Sequence, residues 1–431
     1  MRLTLASFIA LAACSTSPAA PDAFVPADDA GTDAFAPAPR DAGPPPDAWV
    51  APPPVELGRH AVSVVDTRRI VPSPGIPSTI TVQHSNNNLD VIRFGGRVFL
   101  IWRTAPNHYA GTATEMHIVS STDEVSWTDE YVYTTGTDIR EPRFLVVGGH
   151  LFAYISLLGT DPLDFNPRGV VVTERAADGT WSTPENVAGL DGYIEWRTRT
   201  VGSTPYMLAY LGGEMIYDFT SAPMLHLDFL TTTDGRAWVP VDPARRTVYT
   251  GGGSESDFAL ADDGSLYAVI RNEAGDASGF GSLVCRAPAG ALADWTCTHD
   301  PRKYDSPLVF AYDHEIYLIG RRNVTESGRY DLGLDASFGT QAARYALDYW
   351  NHPKRCSLWR FVEGEQRIAF VLDLPSHGDT CFASVIDGTS ADQLVVYNYS
   401  SDVDGPDVNW NVGQQGDTFV YRHVLQFTPN P

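Results

Sequence analysis

Apolar and polar positions along this chain repeat one phrase about six times. Each copy holds an acidic residue, an apolar strand, a turn with Gly, Asp or His, and a second apolar strand that ends on Arg or Tyr. The clearest copies begin near Leu89, Ile139 and Ser254, and further copies cover 193–210, 304–321 and 379–397. Because the sequence lacks long helical periodicity, the pattern predicts a domain made almost entirely of short β-strands.

The spacing of these copies predicts how the strands assemble. Successive copies start about 50 to 75 residues apart, which is the length of one blade of a β-propeller. We therefore predict an all-β, six-bladed β-propeller that occupies residues 55–431 as a single domain. The inner strands of such a ring meet at its axis, where we expect the functional site. Residues 331–354 break the strand pattern, which predicts an insertion between the fifth and sixth repeats with a short helix near 341–349.

The first fourteen residues predict export. A short apolar stretch follows Arg2, and residues 11–14 read Leu-Ala-Ala-Cys, which resembles a bacterial lipobox. We expect residues 1–14 to form a lipoprotein signal peptide with Cys14 as the lipidated residue, and an ordinary secretory signal is the alternative. Ser15 favours the outer membrane within the bacterial cell envelope. The lipid anchor is then the only expected contact with the membrane.

Residues 15–54 differ in composition from the rest of the chain. They contain 11 Pro with abundant Ala and Asp, and they have too few large aliphatic side chains to offset the entropy of ordering by burial. We predict a disordered tether. The whole chain is acidic, with a formal net charge of −23 at pH 7, which argues against nucleic acid as a partner. We expect a monomer.

Four cysteines remain after Cys14, and they allow three pairings. Cys285 and Cys297 flank a short connection with Pro, Gly and Ala, which favours a disulfide across neighbouring strands. Cys356 and Cys381 would then join the insertion to the last repeat. A metal site is the alternative, but the sequence lacks the C-x-x-C and H-x-x-x-H spacings of such sites. It also lacks a P-loop and a dinucleotide fingerprint, so we expect neither a metal nor a cofactor.

The copy that begins at Ser254 carries a resemblance to a known family. Its Ser-Glu-Ser-Asp-Phe opening and its ending on Arg271 resemble the sialidase-type glycoside hydrolases, in which six blades surround an axial pocket. The resemblance covers about residues 85–425 and implies that Glu255 assists a nucleophile and that Arg271 binds a substrate carboxylate. Segments 121–127 and 232–238 are similar to the family's Asp-box hairpins but are one residue shorter.

Two departures from that family concern its central residues. Its nucleophilic Tyr opens the last blade, where residues 379–382 of this chain read Asp-Thr-Cys-Phe. Its first-blade Arg is missing, because Leu89 and Asp90 stand at the expected place, and Arg140 and Arg143 are the candidates to substitute for it. These departures argue against sialic acid as the substrate.

Nearly every copy opens with a carboxylate, whatever the family. The inner strands of a propeller begin around one end of its axis, so these groups are expected to crowd together and push each other's pKa values apart, as glycosidic cleavage requires. The predicted catalytic acids are Glu255, Asp90, Asp305 and Glu141. The predicted substrate-binding residues are Arg271, Arg140, Arg103, Arg197, Arg321, Asp257, Asp379 and Tyr397.

Arginine and aromatic side chains recur beside these acids. Guanidinium forks bind sugar carboxylates and hydroxyls, and aromatic rings offer a flat apolar floor to a sugar; the aromatic candidates are Trp102, Trp196, Tyr304, Tyr397 and Tyr399. His108 is a candidate for the pocket wall. Each acid has a structural alternative, because Asp often caps a turn and Arg–Asp pairs often tie neighbouring blades. The hairpin tryptophans are expected between blades: Trp127, Trp181, Trp238 and Trp295.

These observations predict a surface-anchored lipoprotein with a carbohydrate-binding axial pocket. A glycan or polysaccharide is the expected partner, and an exo-acting glycoside hydrolase of sialidase-like type is the expected activity. The alternative is a propeller that binds a glycan or a protein without turnover, since one fold hosts both functions. A third option is a five-bladed hydrolase of the arabinanase type.

Overall fold

The computed structural model describes residues 50–56 and 58–430, which form six antiparallel sheets arranged as propeller blades. This confirms the predicted all-β, six-bladed β-propeller, and the five-bladed alternative is wrong. The predicted signal peptide, Cys14 and most of the tether lie outside the described residues. None of the helices in the described ranges has the length and apolar composition needed to span a bilayer.

The first three blades follow one another along the chain, after an initial strand β1 (His60–Val71). Blade 1 contains β2 (Ser85–Phe94), β3 (Arg97–Ala105), β4 (Glu115–Ser121) and β5 (Thr128–Tyr133). Blade 2 contains β6 (Asp138–Val147), β7 (His150–Leu158), β8 (Pro167–Arg175) and β9 (Glu185–Asn186). Blade 3 contains β10 (Tyr193–Val201), β11 (Thr204–Leu211), β12 (Leu225–Thr231), β13 (Val239–Pro240) and β14 (Thr247–Gly251), the last two both paired with β12.

The remaining blades complete the ring. Blade 4 contains β15 (Ser256–Leu260), β16 (Leu266–Asp276), β17 (Gly279–Ala287) and β18 (Thr296–Asp300). Blade 5 contains β19 (Asp305–Tyr312), β20 (Glu315–Asn323), β21 (Lys354–Phe361) and β22 (Ile368–Asp373). Blade 6 contains β23 (Ser384–Asp387), β24 (Gln393–Ser400), β25 (Phe419–Pro429) and the initial strand β1.

Strand β1 closes the ring. It runs antiparallel to β25 along its whole length, from the His60 and Pro429 pair to the Val71 and Val420 pair. The outermost strand of blade 6 therefore comes from the beginning of the described chain, and its three inner strands come from the end. Hydrogen bonds between the two ends of the described chain hold the propeller closed.

Within residues 50–56 and 58–430, two helices lie outside the sheets, α1 (Phe338–Trp350) and α2 (Trp410–Gly413), together with a 3₁₀ turn at Gly213–Met215. The predicted helix exists as α1 and lies between the fifth and sixth copies of the phrase, as expected. The structure places this interval inside blade 5, where α1 connects β20 to β21. The helix buries Tyr345 and Tyr349 against blades 4 and 5, which explains why it interrupts a blade without opening the sheet.

Hairpin tryptophans join neighbouring blades. Each one follows the third strand of its blade and meets an aromatic ring of the preceding blade at a centroid distance between 5.8 and 6.4 Å. The pairs are Trp127 with Tyr397, Trp181 with Tyr131, Trp238 with Tyr154, and Trp295 with Phe229. This repeated contact fills the wedge between blades with apolar surface.

Two of these tryptophans follow turns of the Asp-box kind. Asp123 Oδ1 accepts hydrogen bonds from the backbone amides of Val125 and Ser126, both at 2.8 Å. Asp234 does the same in blade 3 with the amides of Arg236 and Ala237. The antiparallel register puts these turns at the end of the ring opposite the first residues of the inner strands.

The disulfides have the predicted pairing. Cys285 joins Cys297, directly across β17 and β18. Cys356 in β21 joins Cys381, which precedes β23, so this bond connects blade 5 to blade 6.

Removal of β1 tests the closure of the ring. We expect a variant that lacks residues 1–71 to lose its cooperative thermal transition, because β25 then becomes an exposed edge strand and blade 6 loses a quarter of its sheet. A variant that lacks residues 1–49 keeps β1 and serves as the control. Calorimetry and size-exclusion chromatography compare the two, and equal melting temperatures would contradict this account of closure.

Candidate functional site

A cavity of about 940 Å³ opens where the inner strands begin. Each blade contributes one residue near the start of its inner strand, and we call these six the floor residues: Asn88, Glu141, Trp196, Glu255, Ser306 and Phe382. The cavity therefore lies on the axis of the ring, where the sequence predicts the functional site.

Irregular backbone turns several floor residues toward the cavity. The register between the first two strands shifts beside the floor position in blades 1, 2, 3 and 5. Asn88, Glu141 and Ser306 have positive φ angles of 41°, 51° and 51°. A bulge of this kind inserts a residue into the strand and aims one side chain away from the regular pleat.

Second strands and the connections after them form the walls. The second strands of blades 2 to 6 contribute Leu158, Tyr210, Arg271, Arg321 and Tyr399. The following connections contribute residues within 107–110, 161–165 and 410–415, together with Tyr217, Leu347, Trp350 and Asn351. Helices α1 and α2 thus lie at the rim of the cavity, where the Trp410 amide donates to the His352 carbonyl.

Two floor residues are carboxylic acids with raised pKa values. Burial, with the nearby charges of Asp305 and Glu141, raises the pKa of Glu255 to about 8, although Arg271 opposes the shift. Glu255 Oε1 lies 2.7 Å from Arg271 Nη1, and the Ser306 amide donates to Oε2 at 2.8 Å. Burial also raises the pKa of Glu141, whose Oε2 accepts from Asn88 Nδ2 at 2.8 Å. Both acids hold their protons more tightly than a free Glu does.

Asp305 lies behind the floor and pairs with several cations. Its carboxylate is 3.0 Å from Arg271 Nη1, 2.8 Å from Arg321 Nη1 and 3.2 Å from Lys303 Nζ. Tyr349 of α1 donates to it at 3.0 Å. Burial opposes ionisation, but the charges of Lys303, Arg321 and Arg271 outweigh burial and lower the pKa of Asp305. Asp305 therefore fixes the two arginines rather than facing the cavity.

Three of the predicted arginines line the cavity, Arg140, Arg271 and Arg321. Arg140 pairs with Asp138 at 2.5 Å. Arg321 donates to the Thr380 carbonyl at 2.5 Å, and its guanidinium lies 4.9 Å from the centre of the Trp410 ring. Each of the three guanidinium groups is thus held by hydrogen bonds or ion pairs to neighbouring protein groups.

A histidine and a buried carboxylate form a pair in the opposite wall. His108 Nδ1 lies 2.6 Å from Asp379 Oδ2. Asp379 also accepts from Tyr399 Oη at 2.9 Å and from Trp410 Nε1 at 3.0 Å. His108, Tyr399 and Trp410 all line the cavity, whereas Asp379 is fully buried behind them.

Asp90 does not line the cavity. Its carboxylate accepts from Ser384 Oγ of blade 6 at 2.6 Å and from the Phe144 amide of blade 2 at 2.7 Å. It lies two residues beyond the floor residue Asn88, and its carboxylate joins three blades. This position gives Asp90 a structural role in place of the predicted catalytic one.

Four predicted binding residues also serve contacts between or within blades. Arg197 and Asp257 pair with each other at 3.2 Å, which joins blade 3 to blade 4. Arg103 is fully buried and pairs with Asp138 at 2.9 Å, and Tyr397 donates to Glu124 at 2.8 Å. None of these four lines the cavity, and each pairs with a side chain that lies outside it.

Sequence reasoning missed the polar and aromatic residues that the bulges and connections bring in. Asn88 and Ser306 belong to the floor, and Tyr217, Trp350 and Trp410 belong to the walls. The connections that follow the second strands could have predicted these wall residues. In blades 5 and 6 these connections are long and rich in aromatic and amide side chains. Loops that a rigid scaffold positions commonly carry binding groups.

Comparison with known proteins yields similarity in structure alone, since neither a protein-family model nor a curated protein matches the chain. A mutant of Trypanosoma rangeli sialidase displaying trans-sialidase activity has a TM-score of 0.54 and 14% identity, over 84% of this chain and 60% of that one. Trypanosoma rangeli sialidase in complex with sialic acid has a TM-score of 0.53 and 13% identity, over 88% of this chain and 59% of that one. This chain matches about three fifths of the length of those proteins, and the likeness shows that it has the sialidase-like propeller fold.

Proposed function

We propose that this protein is an exo-acting glycoside hydrolase that removes a terminal sugar bearing a carboxylate. One observation carries the proposal, namely that the cavity floor holds Glu255, a carboxylic acid with a pKa of about 8, in direct contact with the cavity arginine Arg271. A group with that pKa is protonated at neutral pH. It is therefore able to give a proton to the oxygen that leaves during glycosidic cleavage.

The arginines supply the preference for an acidic sugar. Arg271 and Arg321 share the carboxylate of Asp305, so their guanidinium groups are held beside each other. Both line the cavity together with Arg140. Planar guanidinium groups bind carboxylates through paired hydrogen bonds, and low solvent access strengthens that contact.

Aromatic side chains would hold the sugar ring. Trp196 and Phe382 belong to the floor, and Tyr210 and Trp410 stand in the walls. Flat apolar faces of this kind pack against the carbon face of a sugar, and their polar neighbours bind its hydroxyl groups. Such a cavity encloses one end of a glycan, which supports removal of terminal units.

The sequence at the start of the last blade gives no reason to restrict the proposed substrate to sialic acid, so we propose acidic sugars as a class. Cys381 stands where the resembling family has its nucleophilic Tyr, and it is bonded to Cys356 and fully buried. A nucleophile is therefore lacking at that position. The same observation favours a second candidate, a propeller that binds an acidic glycan without cleaving it.

Replacement of Glu255 by Gln tests the proton donor. We expect kcat/KM on methyl glycosides of uronic or N-acetylneuraminic acid to fall about 100- to 10,000-fold, because the amide cannot donate the proton. The loss should be much smaller on 4-nitrophenyl glycosides, whose leaving group needs little protonation. In the wild type, kcat/KM should fall as pH rises through about 8, where Glu255 loses its proton.

Glu195→Gln is the matched control for that experiment. Glu195 is a buried Glu with a pKa raised by burial, and it contacts Ser156 outside the cavity. Its replacement should leave kcat/KM unchanged. Sugar binding by the wild type with no release from any substrate would reject the hydrolase and favour the second candidate.

Replacement of Arg271 by Lys tests carboxylate recognition. Loss of the guanidinium fork should raise KM for acidic glycosides about 10- to 100-fold, in line with a charge-assisted hydrogen bond, and should change KM little for their methyl esters. Arg197→Lys is the control, because Arg197 pairs with Asp257 and does not line the cavity. Equal effects on the acid and the ester would contradict this role for Arg271.

We also propose that the protein is a lipoprotein of the bacterial cell envelope, a proposal supported by the sequence at residues 11–14. Mass spectrometry of the mature protein should find acylated Cys14 as the first residue. Cys14→Ala should release a folded domain into the soluble fraction. An unmodified N-terminus at another residue would reject the proposal.

A further inference from the structure

We propose that His108, oriented by Asp379, is the base that activates the attacking water, and that the enzyme therefore inverts the configuration of the released sugar. This inference rests on the proposed hydrolase function. It assigns a catalytic role to His108 and a positioning role to Asp379. An inverting reaction of this kind proceeds without a covalent intermediate between the sugar and the enzyme.

The hydrogen bonds of Asp379 define the state of the imidazole. Asp379 is fully buried and accepts from His108 Nδ1, Tyr399 Oη and Trp410 Nε1. Burial opposes its ionisation, but the contact with His108 and the charge of Arg321 help to lower its pKa. An ionised carboxylate with three donors requires the proton on Nδ1, so Nε2 keeps its lone pair.

The second ring nitrogen remains available to a bound molecule. Within the ranges that the structure describes, Nε2 of His108 has no hydrogen-bond partner, and the side chain lines the cavity. The His108 carbonyl accepts from Arg140 at 2.7 Å, and Nδ1 donates to Asp379 Oδ2 at 2.6 Å. These contacts hold the backbone and the ring of His108 in place.

The blades that carry the two groups face each other across the axis. His108 lies in the connection between β3 and β4 of blade 1, and Glu255 immediately precedes β15 of blade 4. In a closed ring of six blades, the first and the fourth are opposite. Direct displacement by water needs an acid and a base on opposite faces of the sugar, and this arrangement supplies them.

The proposed step is a single displacement. Water attacks the anomeric carbon while His108 Nε2 takes one of its protons, and the bond from that carbon to the glycosidic oxygen breaks. The Glu255 carboxyl proton goes to the leaving oxygen. The products are the sugar with a new hydroxyl group and the free alcohol, and the imidazolium later returns its proton through solvent to the Glu255 carboxylate.

The surroundings of His108 favour its neutral form. Burial lowers its pKa, the Asp379 carboxylate raises it, and the nearby guanidinium groups of Arg140 and Arg103 lower it, with a net lowering. A neutral imidazole is the form that accepts a proton. Activity should therefore rise as pH rises through the pKa of His108 and fall again above about 8, where Glu255 ionises.

Chemical rescue tests the base. On 4-nitrophenyl glycosides of glucuronic, galacturonic and N-acetylneuraminic acids, His108→Ala should lose about 100- to 10,000-fold in kcat. Added imidazole should restore part of the loss in proportion to its neutral form. The matched control is His84→Ala, because His84 pairs with Asp417 at 2.7 Å on the exposed surface outside the cavity and its loss should change nothing.

Two further measurements do not depend on that variant. Proton NMR of the first product formed by the wild type should show the anomer opposite to that of the substrate. Asp379→Asn should weaken the preference for the proton on Nδ1 and shift the acidic limb of the pH profile. A purely structural role for Asp379 would lower stability without that shift.

The outcomes separate this inference from the function on which it rests. Retention of configuration, or His108→Ala with wild-type kcat, overturns the assignment of His108 while the hydrolase stands. Sugar binding without release by the wild type overturns the hydrolase and this inference together. Inversion of configuration, together with rescue by imidazole in His108→Ala and in no other variant, supports both the hydrolase function and the role of His108.

Discussion

A single buried carboxylate, Asp305, holds the site together. It pairs with Arg271 of blade 4 and Arg321 of blade 5, and it accepts a hydrogen bond from Tyr349 of α1. Removal of one partner from such a buried ionic cluster typically costs about 3 to 5 kcal/mol, because the remaining charges lose their compensation. Asp305 does not face the cavity, but it orients two cavity arginines and holds α1 in position at the rim.

The fold was readable from the sequence because each blade repeats a local pattern. The copies near 139, 194 and 304 begin within a residue of β6, β10 and β19, since an acid and an apolar run mark the start of each inner strand. The pattern covers two strands of each blade, however. Hairpin tryptophans follow the third strand in blades 1 to 4, but residues 362–367 after β21 contain none. The helical segment before β21 was therefore assigned to the gap between repeats instead of to the interior of blade 5.

The sequence predicted the site only in part, because it does not show which face of a strand each residue occupies. The sequence shows which strand carries an acid, but a shift of one residue decides which face of the strand that acid occupies. Glu141 stands at a bulge and faces the cavity, whereas Asp90 lies two residues past the bulge at Asn88 and faces neighbouring blades. Arg271 lines the cavity and Arg197 does not. A local sequence pattern cannot predict this difference, because it depends on partners from other blades.

The wall connections lie outside the hydrogen-bonded sheets, and this has an evolutionary consequence. The ring is held by its strands, its hairpin tryptophans and the pairing of β1 with β25, none of which uses the segments that carry His108, Trp350 and Trp410. Insertions, deletions and substitutions in those segments can accumulate while the ring stays intact. Descendants of one such propeller can thus diverge in the ligands that they accept by exchanging rim segments, while the six floor positions stay the same.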